Sequence, residues 1–598
     1  MSTLSNLVRI LSPRERRQMM LLMPLLAVTA VVEVAGIASI TPFLALVADP
    51  EAVERHELLR RIYEMGGFAD TRGFLIALGL LMFGFVVLSN ALSAFATWAV
   101  LRFAWMRSHT IALRILRGYL GRPYLFFLEH HSADLGKNLL TEVNQVVAGT
   151  VVPAMKAVAG GIAALGVFAL LFYIDPLLAT LTALVMGGAY GTIFFSIRRR
   201  QRRLGEVRLE ANRGRFEALA EAFGGIKEVK LLGRERAMER RFAKPSYAFV
   251  GATASNAVVA QLPRYALEAV AFGGILLMVL YLLGRGEDFE SVLPVLGLYA
   301  FAGYRLMPSL QQIFHGMTSV RFNASALEHL IADLPPPGTA TAERPAGPPM
   351  RLARSLRLCG VDFHYPTAKQ PLFNGLDLEI EAFTTVAFVG QTGSGKSTLA
   401  DLVLGLLRPD AGAIEVDDVP LDDSNLARWQ ANLGYVPQSI FLTDDTVTRN
   451  IAFGLPDEQI DREAVERAAR AACIDEFITG EMPRGYDTLV GERGVRLSGG
   501  QRQRIGIARA LYHDPEVLVF DEATSSLDGG TEELVMQAVR DLASSRTIVL
   551  IAHRLSTVRD CDRIFLLSAG EVVDTGTYDE LIDGSARFRA LALTQSDA

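Results

Sequence analysis

The sequence predicts an α-helical transmembrane domain of six spans fused to an α/β P-loop nucleotide-binding domain. Three observations carry this prediction. Hydrophobic residues make up 50% of the 598 residues, mean hydropathy is +0.27, and the excess sits in long apolar runs before residue 320. Beyond residue 350, short β-branched runs alternate with helical segments, the pattern of a mostly parallel sheet. Within that second half, Gly390-Gln391-Thr392-Gly393-Ser394-Gly395-Lys396-Ser397 separates the apolar run Thr385 to Val389 from the helix-like stretch Thr398 to Leu404.

The first apolar run, Met19 to Val47, follows Arg9, Arg14, Arg16 and Arg17. It is too long for a signal-peptide core, and no cleavage pattern follows, so it reads as a retained span. Further runs lie near 74–101, 151–174, 177–197, 257–284 and 290–318. Arg102, Arg107, Arg114, Arg117 and Arg122 follow the second span, and Arg198, Arg199, Arg200, Arg202 and Arg203 follow the fourth. The opposite side carries Asp175 and the acidic stretch Glu287, Asp288 and Glu290. The positive-inside rule therefore places both termini in the cytoplasm. The domains read as 1–334 in the membrane, a Pro/Gly-rich linker at 335–350, and a nucleotide-binding domain at 351–598.

Two long connections, about 102–150 and 198–256, are patterned as outward and returning helices that reach roughly 30–40 Å beyond the bilayer. Their turning points are Pro123 to Phe127 and Phe223 to Glu228. Apolar groups at such tips need a covering surface, either a nucleotide domain or the membrane domain itself. Glu51 to Gly66 has one apolar face and reads either as an ordered loop or as a helix at the lipid surface. Glu33, Arg264 and Arg305 are ionisable groups in apolar surroundings. The two arginines either face a central path that attracts an anionic substrate or pair structurally, for instance with Glu33 or Glu268.

In the glycine loop, Gly390, Gly393 and Gly395 allow backbone N–H groups to converge at the positive end of a helix. Gln391, Thr392, Ser394 and Thr398 complete the cradle, Lys396 supplies charge for the outer phosphates, and the Ser397 hydroxyl suits Mg2+. This pattern predicts binding of a nucleoside triphosphate. Tyr365 is placed to stack on a base. Val517 to Phe520 is a buried strand ending in Asp521, which would hold magnesium directly or through water, and Glu522, a general base for the attacking water, with helix capping the other role open to both carboxylates. Ser498, Gly499, Gly500 and Gln501 open a helix and make a second anion site. A net charge of −6 offers no basic field for nucleic acid. Cys359, Cys473 and Cys561 lack metal-ligand spacing and read as core residues in a reducing cytosol.

Leu497-Ser498-Gly499-Gly500-Gln501-Arg502-Gln503-Arg504 resembles the signature motif of ABC-type ATPases, and the whole chain resembles a half-size ABC exporter. The resemblance implies that Gln438 is the Q-loop glutamine, a further magnesium ligand and catalytic group. It makes Asp528 the D-loop aspartate, His553 the switch histidine, and Thr488 to Gly494 the loop before the signature. It further implies a homodimer with two equivalent ATP sites, each shared between the P-loop of one chain and the signature helix of the other. One tip would seat in its own chain's nucleotide domain and the other in the partner's.

For cargo, the segment between the first two spans, Pro263-Arg264, and Tyr304-Arg305-Leu306-Met307-Pro308-Ser309 resemble the bacterial lipid-linked oligosaccharide flippases. That resemblance implies an anionic polyprenyl-pyrophosphate glycan moved across the inner membrane, with Arg264 and Arg305 on its path and a lipid tail meeting the 51–66 helix. The second span departs from those flippases, having no arginine around Leu88-Ser89-Asn90. Other readings are an exporter of another lipid, peptide or drug, and an ATP-gated channel or regulator.

Overall fold

The computed structural model describes residues 3–48, 71–174, 176–285, 289–335, 347–491, 494–522, 545–552 and 554–596, with 63, 533, 537 and 540. It divides into two compact units. The first comprises Met1–Arg122 and Phe127–Thr341, the second Pro123–Phe126 and Ala342–Ala598.

Six long helices dominate the first unit: α1 (Pro13–Ala48), α2 (Thr71–Leu120), α3 (Val152–Ile174), α4 (Pro176–Gly224), α5 (Glu235–Arg285) and α6 (Phe289–Phe322). Each carries one of the six apolar runs. Among the described residues, the stretches Pro13–Gly36, Arg72–Leu120 and Ser132–Tyr173 are by themselves long and apolar enough to cross a membrane. At 1.5 Å per residue, the 50 residues of α2 span about 75 Å, more than twice a hydrocarbon core, so the helix runs unbroken from apolar span into polar extension. Two π-turns, Asn138–Glu142 and Val147–Val151, interrupt the helical path that enters α3.

Small residues set the closest helix approaches, as expected where lipid offers no hydrophobic drive for association. A Cβ on Gly316 of α6 would lie 2.5 Å from the Ala157 Cβ of α3, and one on Gly160 would lie 2.6 Å from the Ser309 carbonyl oxygen. Gly205 of α4 touches the Phe322 carbonyl so closely that no side chain fits. Beside it, Arg208 donates to Glu142 at 2.7 Å and Asn212 donates to the same carboxylate at 2.7 Å. Arg208 and Glu142 are only 2% and 1% exposed, so this is a fully desolvated pair.

The second unit has two sheets. A four-stranded antiparallel sheet runs β2-β1-β4-β5, from β1 (Ser355–Phe363), β2 (Phe373–Glu381), β4 (Ala411–Val416) and β5 (Val419–Pro420). The other runs β10-β9-β3-β8-β7-β6, from β3 (Thr385–Gly390), β6 (Leu433–Val436), β7 (Val517–Asp521), β8 (Thr547–Ile551), β9 (Arg563–Ser568) and β10 (Glu571–Gly576). Its strands are parallel except for the β9–β10 pair. Val386, Ala387, Phe388, Val517, Leu518 and Val519 are buried, as strands covered on both faces require.

The cysteine expectation needs correcting. Cys561 is buried, but Cys359 is half-buried and Cys473 exposed. Cys473 follows helix Arg462–Ala471 at φ 53°, with its amide donating to the Arg470 carbonyl, so it closes a helix end rather than filling a core.

Candidate nucleotide site and membrane cavity

Parallel register places the site. β8 lies between β3 and β7, with Ile551 opposite both Phe388 and Asp521. The carboxyl ends of these strands therefore bring the glycine loop, the 521–522 carboxylates and the residues after Ile551 to one edge, where open α/β sheets bind ligands. The loop passes from β3 into α7 (Lys396–Val403). Gly393 at φ 85° and Gly395 at φ 103° occupy backbone conformations that side chains disfavour, and a Cβ on Gly395 would lie 2.9 Å from the Phe373 ring.

Lys396 is 5% exposed and its ammonium donates to the Gly390 and Gln391 carbonyls at 2.8 and 3.1 Å. Burial holds its pKa below the usual lysine value, against the pull of Glu522 and Asp521. The buried Ser394 hydroxyl has no hydrogen-bond partner. A cradle of freed amides, a buried ammonium satisfied only by carbonyls and an orphaned hydroxyl is a donor set that suits the oxygens of a triphosphate. The residues thus fit the group the motif implies.

Gln438, just beyond β6, donates through Nε2 to Glu522 Oε2 at 2.6 Å, and the Tyr435 hydroxyl approaches Asp521 Oδ2 at 3.5 Å. Glu522 sits at φ 48°, and its amide donates to the Ile551 carbonyl, which fixes this left-handed turn at the strand end. Burial first, and then the Asp521 charge, push the Asp401 carboxyl up to about 6. Ser397, Asp521 and Gln438 offer the oxygens for a magnesium ion. Tyr365 packs edge-on against Phe363 at 4.9 Å, and its hydroxyl lies 3.0 Å from Thr398 Oγ1. The ring is thereby held over the start of α7.

The helix α8 (Gly499–Leu511) opens with a reciprocal cap. Ser498 Oγ accepts from the Gln501 amide at 3.2 Å, and Gln501 Oε1 accepts from the Ser498 amide at 2.8 Å. Those side chains are engaged in their own helix end, leaving the Gly499 and Gly500 amides and the Ser498 hydroxyl hydrogen for an anion. His553 and Asp528 lie outside the described residues.

In the first unit, Arg264 lines a cavity of about 480 Å3 together with Lys156, Gln261, Gln311, Gln312 and His315. Arg264 Nε also donates to Glu268 Oε1 at 2.7 Å, one turn along α5. Cavity lining and structural pairing, posed as alternatives by the sequence, are both present. Glu33 accepts instead from Ser93 Oγ at 2.8 Å and lines a smaller cavity of about 180 Å3, which shares Lys156 and Gln312 with the first. Arg305 lies on α6 with its side chain outside the described residues. Of the 51–66 segment only Tyr63 is described, its ring edge-on to Phe74 at 5.5 Å. Sequence reasoning passed over Lys156 and His315. A lone lysine inside the apolar run 151–174 is the same signal that had flagged Glu33 and Arg264.

Residues 373–525 match the ABC transporter family and residues 27–285 its transmembrane region. The ATP-dependent lipid A-core flippase of Chromobacterium violaceum is 34% identical over 487 residues, covering 80% of this chain and 81% of that protein. The chain belongs to the ABC transporter family. A second lipid A-core flippase, from Vibrio vulnificus, is 30% identical over 566 residues, 93% of this chain and 94% of that protein. A solved bacterial Atm1-family ABC exporter with ATP bound superposes with a TM-score of 0.77 at 24% identity, over 97% of this chain and 98% of that one. This ABC transporter is therefore an ATP-hydrolysing translocase with the half-size exporter fold, a multi-pass protein of the inner membrane whose fold implies dimerisation.

Proposed function

We propose that this ABC transporter flips an anionic lipid-anchored glycan, a polyprenyl-pyrophosphate-linked oligosaccharide, across the inner membrane. The observation that carries this reading is the cavity where Lys156 and Arg264 stand among three glutamine amides. Cations suit a phosphate or pyrophosphate, and amides suit sugar hydroxyls, whereas an uncharged drug would leave both desolvated without reward. Arg305, on the same helix as Gln311 and Gln312, is assigned to this path. A second reading, lipid A-core as cargo, is favoured by the names of the relatives.

The energy comes from Mg2+-ATP, with magnesium supplying Lewis-acid stabilisation of the phosphoryl charge. Ser397, Asp521 and Gln438 would hold the ion, and the glycine loop with Lys396 would orient the phosphates. Glu522 takes the proton of the attacking water at its carboxylate, Gln438 positions that carboxylate, and His553 completes the group. The homodimer supplies Ser498, Gly499, Gly500, Gln501 and Asp528 from the second copy to each site. Two observations support the tip assignments. Leu125, within Pro123–Phe126, packs against the hydrophobic core of the nucleotide unit. Phe223 and Ile226 at the other tip stay 68% and 44% exposed, as a surface awaiting a partner chain would. Both termini are assigned to the cytoplasm.

The test is ATPase stimulation and flipping in proteoliposomes with polyprenyl-pyrophosphate glycan, lipid A-core and a neutral drug in parallel. Stimulation by the pyrophosphate glycan, reduced in Arg264→Ala, is expected. Stimulation by lipid A-core alone selects the second reading, and stimulation by the drug alone defeats both.

A further inference from the structure

A second basic cavity, of about 460 Å3, lies at the polar end of the fourth span and is separate from the cargo cavity, with which it shares no lining residue. It is lined by Arg198, Arg199, Arg202, Arg203 and Glu206 of α4 and by Arg321 of α6. Five guanidinium groups meet one carboxylate. Arg202 bonds to Glu206 at 3.2 Å and pairs with Glu328 at 3.7 Å, and Arg198 stacks on Phe195 at 4.9 Å. Among the described residues Arg199, Arg203 and Arg321 form no ion pair. Basic residues after a span satisfy the positive-inside rule wherever they point. That rule does not account for an arginine from another helix converging on the same cavity.

The convergence is built into the backbone. Gly205 lies against the Phe322 carbonyl, one residue beyond Arg321 and three beyond Arg202. The buried Arg208, anchored on Glu142, stacks on the Phe322 ring. The two helices are thus clamped where their arginines meet, so the backbone positions that carry them are fixed relative to one another before any ligand arrives.

The apolar side of the same helix face identifies the ligand. At 100° per residue, Leu184, Phe195 and Arg202 share one stripe of α4. Leu184 and Phe195 are 71% and 62% exposed and so present an apolar track that ends on the arginines. A free phosphate would use the arginines and ignore the track. A lipid uses both, with acyl chains along Leu184 and Phe195 and the phosphodiester between the forks. We propose that this cavity binds the headgroup of an anionic diacyl phospholipid of the surrounding bilayer, at the leaflet where the fourth span ends, as a site distinct from the cargo path.

The experiment titrates the detergent-solubilised full-length transporter, by native mass spectrometry, with dihexanoyl phosphatidylglycerol, dihexanoyl phosphatidylcholine and glycerol 1-phosphate. Phosphatidylglycerol is expected to bind about tenfold more tightly than either of the others. Arg199→Ala/Arg203→Ala/Arg321→Ala should erase that preference. If the triple alanine variant does not fold, Arg199→Lys/Arg203→Lys/Arg321→Lys keeps the topogenic charge but removes the forks, and should lose most of the preference. Equal binding of the two lipids, or a preference that survives whichever variant folds, overturns the proposal. Glycerol phosphate binding as tightly as the lipid marks a soluble-anion site and also overturns it. Competitive displacement of phosphatidylglycerol by the flipped glycolipid would make the cavity part of the cargo route and overturns it as a separate site.

Discussion

Lys396 and Arg208 are both buried cations, 5% and 2% exposed, yet they are held in different ways. Lys396 is met by carbonyls five and six residues before it, inside its own loop. Arg208 is met by Glu142, 66 residues earlier and on another helix. A charge held by its own loop can let go of it locally, so the Lys396 ammonium is free to turn toward a phosphate without moving any strand. A charge held across helices cannot leave without stranding its partner, so Arg208 and Glu142 act as a rivet between α4 and the π-turn that leads into α3. The nucleotide unit keeps its ions exchangeable, while the membrane unit uses them as fixed joints. Arg264 stands between these cases, paired with Glu268 one turn away and still facing a cavity.

Five variants test that contrast. Glu522→Gln removes a proton acceptor without altering the fold and should lower ATPase turnover by about 10²- to 10⁴-fold while nucleotide binding persists. Normal turnover would remove Glu522 from the assigned role. Arg208→Ala leaves Glu142 buried and unpaired and should destabilise the transporter by about 3–5 kcal/mol, read as a lower thermal midpoint in detergent. Glu142→Leu/Arg208→Met, which removes both charges, should recover most of that loss, and failure to recover would show that the pair contributes more than its burial cost.

Gly205→Ala forces α4 off the Phe322 carbonyl and should cost about 1–3 kcal/mol in the same assay. A neutral result would mean that the helix contact is not tight.

The smallest effect concerns Asp417, an anion of the nucleotide unit held from a distance by amides. Burial pushes its carboxyl up, but the Ala353, Arg354 and Ser355 amides, at 2.8, 2.7 and 3.0 Å, outweigh it and hold the pKa below the usual carboxylate range. A depressed folded-state pKa contributes stability above the unfolded value near 3.8 and loses it as pH falls through the folded value. Asp417→Asn should therefore cost at most about 1 kcal/mol at neutral pH, after solvent screening, with the deficit vanishing in acid. A deficit that stays constant with pH would assign the effect to geometry instead of charge.

The same distinction explains what could be read in advance. The loop Gly390 to Ser397, the Asp521-Glu522 pair and the cap at Ser498 are contiguous, because phosphate cradles and helix ends are made by neighbouring residues. Cys473 defeated the reading because its exposure follows from a left-handed helix end that no spacing announces. The bond from Gln438 to Glu522 needs β6 beside β7, an adjacency between strands some 80 residues apart.

Hydropathy and local turn chemistry act over a few residues, so the six apolar runs, the P-loop domain after them and the residues that could meet ATP were legible in the chain alone. That Lys156 of α3, Arg264 of α5 and His315 of α6 share one cavity, and that Arg321 joins the arginines of α4, emerged from the packing of the helices. Those groups lie on different helices, and their meeting depends on how closely Gly160, Gly205 and Gly316 let the backbones approach. Close packing between distant segments is a property of the whole chain, and no window of the sequence contains it.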